Sequence, residues 1–168
     1  MNEKLAAAFN DQIALEQASA RAYRQLAIWA DEHDYTGSAA WLASQADEEN
    51  EHADIFIHHV LDRGGEVALQ ALPAPPRDFD TLLDVFKAAL SHEERVTEAI
   101  GELYSLAQDE RDVRSLPLLT RFLDEQVGEE AAVRTIIAEL EMTTDSRSAT
   151  LLLDRELPGR RGPGNEAV

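Results

Sequence analysis

Four stretches of this chain carry an apolar residue every three or four positions, and each stripe turns polar near its middle. The first stripe reads Phe9, Ile13, Glu16, Ala20, Tyr23, Ala27, Ala30, and the second Leu42, Gln45, Glu49, His52, Phe56, His59. The third reads Leu82, Phe86, Ala89, Glu93, Val96, Ile100, Leu103, Ala107, and the fourth Leu119, Phe122, Gln126, Glu129, Val133, Ile136, Leu140. Such spacing puts each set on one face of a helix, the face that a bundle buries. A carboxylate or imidazole there costs stability unless something binds it. One polar residue would mark only the edge of a stripe. Four midpoint interruptions predict a polar layer inside the bundle, built from Glu16, Glu49, His52, Glu93, Gln126 and Glu129.

Turn signals delimit the helices. No proline occurs in residues 1–72, and the first glycines are Gly37, Gly64 and Gly65. Residues 4–32 and 37–63 read as two long helices, with Thr36 as the expected N-cap of the second and Gly64-Gly65 as its stop. Residues 66–78, with Pro73, Pro75 and Pro76, read as a loop. A third helix is expected over 79–108, capped by Asp78 or Asp80, and a fourth over 114–142 with Pro117 in its first turn. Residues 146–156 predict a short fifth helix. The expected domain spans 1–157, and 158–168, rich in Pro, Gly and Arg, is expected to be a disordered tail.

Loop lengths set the topology. The first and third connections are short, so those neighbours run antiparallel. The second has about 13 residues. A 28-residue helix is about 42 Å long, and 13 extended residues reach about as far. Helices two and three can therefore run parallel, joined by one long crossover. That is the ferritin-like four-helix bundle.

Composition narrows the function. Asp and Glu outnumber Lys and Arg 33 to 15, a net charge of −18. Phosphate backbones are repelled by such a chain, so nucleic acid is not an expected partner. Cations are attracted. The absence of cysteine excludes disulfides and thiolate ligands and agrees with a cytoplasmic location. No apolar run is long enough for a membrane span, and no signal-peptide pattern opens the sequence. Bare carboxylates in one core repel each other and resist desolvation. Metal cations remove both problems, and oxygen ligands with one imidazole favour iron or manganese, with zinc able to compete. Glu49, between two half-sites, is the natural bridge of a two-metal centre.

At these residues the chain resembles a non-haem bacterial ferritin. The resemblance covers residues 3–157. It is carried by Leu15-Glu16 with Tyr23, by Glu48-Glu49-Asn50-Glu51-His52, by His92-Glu93-Glu94, and by Glu125-Gln126-Val127-Gly128-Glu129-Glu130. It implies a hollow shell of 24 subunits that oxidises Fe(II) with dioxygen or peroxide and stores ferric mineral. It also implies that Glu16, Glu49 and His52 hold one iron and that Glu49, Glu93 and Glu129 hold the other. Gln126 would orient dioxygen or water, and Tyr23 would stand beside the centre. Glu48 and Glu125 match two ligands of a third iron site found in some members. Gly128 occupies the position of a further glutamate, which weakens that site. Haem-binding relatives place a methionine directly after the bridging glutamate; Asn50 stands there, so no haem is expected.

Other readings of the same stripes are a haem-containing bacterioferritin, another diiron oxidase or peroxidase on this bundle, and a metal-free helical scaffold. His58 and His59 read as an interface or surface pair, His92 as facing away from the centre, and Trp29 and Trp41 as packing or interface anchors. The Leu151-Leu152-Leu153 run exceeds what a lone short helix can bury and implies docking on neighbouring subunits.

Overall fold

The computed structural model describes residues 1–143 and 145–160 and places only helices among them. They are α1 (Glu3–Glu32), α2 (Thr36–Leu61), α3 (Leu82–Asp109), α4 (Leu116–Thr143) and α5 (Arg147–Glu156), followed by a 3-10 turn, Leu157–Gly159. α1 packs along α2, α3 along α4, and α1 against α3, giving an all-α four-helix bundle with a short fifth helix. None of these helices is long and apolar enough to cross a membrane.

The crossover between α2 and α3 is held against α1 along its way. Asn10 of α1 donates to the carbonyl of Glu66 and accepts from the amide of Ala68. Gln70 donates to Asp11 at 2.7 Å. Further along, Pro73, Pro75 and Pro76 face Ala18 and Ala22, and Phe79 meets the edge of Trp29. The strap thus advances from the start of α1 to its end. α3 therefore begins at the end of the bundle where α2 began, and the two run parallel, as the loop length predicts.

Two helix starts are capped differently from expectation. α3 starts three residues later, because Thr81 caps it: its hydroxyl accepts from the amide of Asp84 and donates to the Asp84 carboxylate. Thr36 does not cap α2. The N-cap position is Tyr35, which offers no capping side chain. The cap comes from α5. Buried Asp154 accepts from the amides of Gly37 and Ser38 and from the Ser38 hydroxyl. A carboxylate at a helix N-terminus satisfies free amides and opposes the helix dipole. Gly64, with φ of 70°, and Gly65, bonded back to Val60, end α2 as expected.

The hydrophobic residues form two separate cores. One gathers Leu26, Trp29, Trp41, Phe86 and Leu140 near one end of the bundle. The other gathers Leu5, Phe9, Phe56, Ile100 and Phe122 near the opposite end. Both tryptophans are thus packing residues. Leu153 and Leu157 are buried on the first core, while Leu152 is exposed. Pro158, Gly159 and Arg160 follow α5 closely, with Arg160 paired to Glu139 of α4 and Glu156. The rest of the segment expected to be disordered, 161–168, lies outside the described residues.

His59 is half-buried. Its ring packs on Phe9 and its Nε2 lies 2.9 Å from the Ser115 hydroxyl. Beside it Arg63 makes a bidentate pair with Asp112, with both bonds at 2.6 Å, which fastens the end of α2 to the α3–α4 turn. His58 is exposed.

A Cβ at Gly37 would lie 1.8 Å from the Asp154 carbonyl oxygen. Gly37→Ala is therefore expected to displace α5 while leaving the bundle folded. Proteolytic cleavage within 147–160 should accelerate with little loss of helical circular dichroism. Asp154→Ala should lower stability by about 1–2 kcal/mol, the usual cost of a lost N-cap, measured by thermal unfolding.

Candidate metal centre

Between the two apolar cores lies a polar layer. Glu16 of α1, Glu49 and His52 of α2, Glu93 of α3, and Gln126 and Glu129 of α4 are all buried there, none more than 4% exposed. Each lies near the middle of a stripe that is largely apolar at its ends, so helix packing carries the side chains inward.

Glu16, Glu49 and His52 bring their ligand atoms within 4.8 Å of one another. Glu49 Oε2 lies 3.7 Å from His52 Nδ1. Glu16 Oε2, Glu49 Oε2 and Glu129 Oε1 are buried with no hydrogen-bond partner in the protein. The second expected set is arranged differently. Glu93 accepts hydrogen bonds from the Tyr23 hydroxyl and from Gln126 Nε2, the latter at 3.0 Å. Glu129 accepts only a 3.3 Å bond from Gln45. Tyr23 and Gln126 thus both stand beside the cluster, and both are directed at Glu93.

A second converging group consists of Glu48, His52 and Glu125. His52 Nε2 lies 3.7 Å from Glu125 Oε1. The two imidazole nitrogens therefore face different carboxylates, Nδ1 toward Glu49 and Nε2 toward Glu125. Glu48 and Glu125 are half-buried, at the edge of the layer. Nearby Glu130 pairs with Arg134 at 2.6 Å and accepts from Thr97, so its charge is already compensated.

The electrostatics follow from this crowding. Burial, and then the charge of Glu49, raise the Glu16 carboxyl well above the ordinary range. Burial and Glu93 do the same to Glu49. Glu129 is pushed up to about 8 by burial and by Glu48 and Glu93. Glu93 is also raised by burial, but its bonds from Tyr23 and Gln126 oppose the shift. Burial pulls His52 down, yet the acidic groups around it, Glu125 first, leave it net raised. Glu125 is correspondingly lowered, chiefly by His52. Without cations the layer therefore holds protons that a solvated carboxylate would have released.

Two polar residues of the layer escape the stripe pattern. Gln12 is buried and its Nε2 donates to Glu16 Oε1 at 2.7 Å. Ser19 is fully buried with an unpartnered hydroxyl. They sit four residues before and three after Glu16, the spacings that share a helix face, and that relation is the signal that could have found them. His92 faces away from the cluster, into a groove between α1 and α3 beneath the crossover.

A carboxyl whose folded pKa is raised stabilises the fold most below its unfolded pKa, and that stability is lost as pH rises through the folded value. For Glu129 the window lies between 4.5 and about 8. The metal-free protein should therefore melt at a lower temperature at about pH 8 than at about pH 5. Glu129→Gln should flatten this dependence. Equal slopes for parent and variant would show that Glu129 does not carry the extra proton.

Comparison with known proteins places the chain. A family model described as ferritin-like domain matches residues 6–143. The chain is 36% identical to a bacterial non-heme ferritin of Staphylococcus aureus over 160 residues, 95% of this chain and 96% of that protein. Another, from Staphylococcus saprophyticus, is 34% identical over the same shares. Among solved structures, an open-pore ferritin from the archaeon Archaeoglobus fulgidus superposes with a TM-score of 0.93 at 35% identity, covering 96% of this chain and 99% of that one. A form of that ferritin closed by site-directed mutagenesis has the same TM-score and identity, covering 96% and 98%. Likeness at this level, sustained over nearly the whole of both partners, makes the chain a member of the ferritin family.

Proposed function

We propose that the protein is an iron-storage ferritin whose polar layer is a ferroxidase centre. The observation that carries the reading is the convergence of buried, unpartnered carboxylate oxygens on one imidazole. Two divalent cations bring four positive charges to four carboxylates, Glu16, Glu49, Glu93 and Glu129. This relieves the repulsion that raises their pKa values. Family membership supports iron as the cation.

In this reading Fe(II) is the substrate. Glu16, Glu49 and His52 take one ion, Glu49, Glu93 and Glu129 take the second, and Glu49 bridges. Binding displaces the protons that the layer holds, so uptake releases protons to solvent. Two Fe(II) lose one electron each, and dioxygen gains two electrons and two protons to become hydrogen peroxide. Peroxide could serve as oxidant in its place, gaining two electrons and two protons to become water. Tyr23 and Gln126 keep Glu93 oriented, and their hydrogen bonds must loosen for Glu93 to turn both oxygens to metal. Glu48 and Glu125 form an outer set that a further cation can share with the far nitrogen of His52, weakened because Gly128 supplies no ligand. The ferric product moves into a multi-subunit shell, for which the family's 24-subunit particle is the template, in the cytoplasm. No haem is needed for this chemistry.

Anaerobic Fe(II) titration followed by oxygen exposure tests the centre. Glu49→Ala should lose fast oxidation by more than the roughly 10- to 100-fold that removal of an outer-sphere partner costs. Glu51→Ala, exposed on the other face of α2, should keep it. Equal rates would remove the centre from this position. Light scattering of the intact chain should give a large hollow particle. A small monodisperse oligomer would contradict storage.

A further inference from the structure

Ser19 of α1 is fully buried, and its hydroxyl has no hydrogen-bond partner. It is the one buried hydroxyl so placed among the described residues. Several other hydroxyls on the long helices find partners. Ser44, Ser105 and Thr135 donate to a carbonyl three or four residues back on their own helix, at 2.7, 3.0 and 2.9 Å, a bond open to any helical serine. Thr97 donates across to Glu130 at 2.6 Å. Ser19 does neither. A buried hydroxyl left unpaired weakens a fold, and alanine, which stands at 18, 20 and 22, would remove that cost. One turn back stands the complementary shortage. Glu16 is fully buried too; Gln12 donates to its Oε1 at 2.7 Å, and its Oε2 has no donor. The carboxylate is thus flanked on one helix face by an engaged donor four residues before it and an idle one three residues after it.

We propose that Ser19 is a positioning residue of the metal centre, whose hydroxyl donates to Glu16 when Glu16 holds a cation. The proposal rests on the metal-centre reading above. Residues three apart on a helix are neighbours on its surface, and turning the hydroxyl takes rotation about one bond. A carboxylate oxygen has two acceptor positions. Oε2 can therefore face a cation with one and Ser19 with the other, while Gln12 keeps Oε1. Carboxylates that hold metals are themselves hydrogen-bonded, and those bonds fix their orientation. Gln12 alone leaves the carboxylate free to swing about the oxygen it holds; a second donor on the far side stops that motion. The hydroxyl is idle in the bare bundle and engaged in the loaded one. Removing it should therefore act with opposite sign on the two states.

Co(II) serves as the probe, since its visible absorption reports carboxylate and imidazole ligation without an oxidation step. Parent, Ser19→Ala, Glu16→Gln and the double variant Ser19→Ala/Glu16→Gln are compared in the same assembly state, by equilibrium titration and by thermal unfolding. Metal-free Ser19→Ala should melt at the parent's temperature or above it, because an unpaired hydroxyl is gone. It should bind one of its two Co(II) per subunit about tenfold more weakly, the lower end of what such a hydrogen bond contributes. In the Glu16→Gln background the same change should leave the remaining Co(II) bound as before. Parent-like affinity for both ions in Ser19→Ala would overturn the role of Ser19 and leave the centre standing. So would an equal loss of affinity with and without the Glu16 carboxylate, which would put the effect of the hydroxyl elsewhere. A metal-free Ser19→Ala that melts below the parent would show the hydroxyl already bonded in the bare bundle, and would overturn the proposal too. A parent that takes up no Co(II) would overturn the centre, and the role of Ser19 with it.

Discussion

Everything in this molecule is arranged around a layer of mutually repelling carboxylates placed between two apolar cores. Repulsion and lost hydration work against the layer, and the two cores hold it in place. Phe9, Phe56 and Phe122 pack below it, and Trp41, Phe86 and Tyr23 above. Because the cores lie at opposite ends, the four helices cannot slide past one another without driving charge into hydrocarbon. The layer thus fixes the relative height of the helices even as it weakens the bundle.

The layer also explains which side chains are satisfied and which are not. Glu93 has two donors and is the best accommodated of the four carboxylates. Glu129, with a single long bond from Gln45, and Glu16 and Glu49, each with an unpartnered oxygen, are held ready for something else. This inequality supports the proposed cation site over a structural hydrogen-bond network, in which every member tends to be satisfied. Arg134 neutralises Glu130 close by. The fold is therefore able to compensate a glutamate in this neighbourhood, and within the layer it has not done so.

Most of this was legible from periodicity alone, because helix faces are set by local spacing. The midpoint interruptions named Glu16, Glu49, His52, Glu93, Gln126 and Glu129, and the structure buries all six in one layer. What spacing could not show is how partners are shared out. Whether Tyr23 and Gln126 address Glu93 or some other group depends on side-chain positions across helices. The cap of α2 was misread for a related reason. Thr36 has the right chemistry at nearly the right place, but the amides of Gly37 and Ser38 are taken by Asp154, more than a hundred residues away. His59, read with His58 as an interface or surface pair, is half-buried, bonded to Ser115 beside the Arg63–Asp112 pair. Long-range polar partners leave no periodic trace.

The converging group Glu16, Glu49 and His52 draws only on α1 and α2, which form one antiparallel hairpin within the first 61 residues. Its contacts close within that one hairpin, since neither the crossover nor the second hairpin takes part. The second hairpin contributes Glu93 and Glu129 but no imidazole to the layer. The two halves of the chain are therefore unequal in their claim on a metal. A nascent first hairpin could already hold a cation while α3 and α4 are still being made, and mass action would then favour that hairpin over its unfolded alternatives. Under the proposed function, the cargo would then act as a template for the fold that stores it.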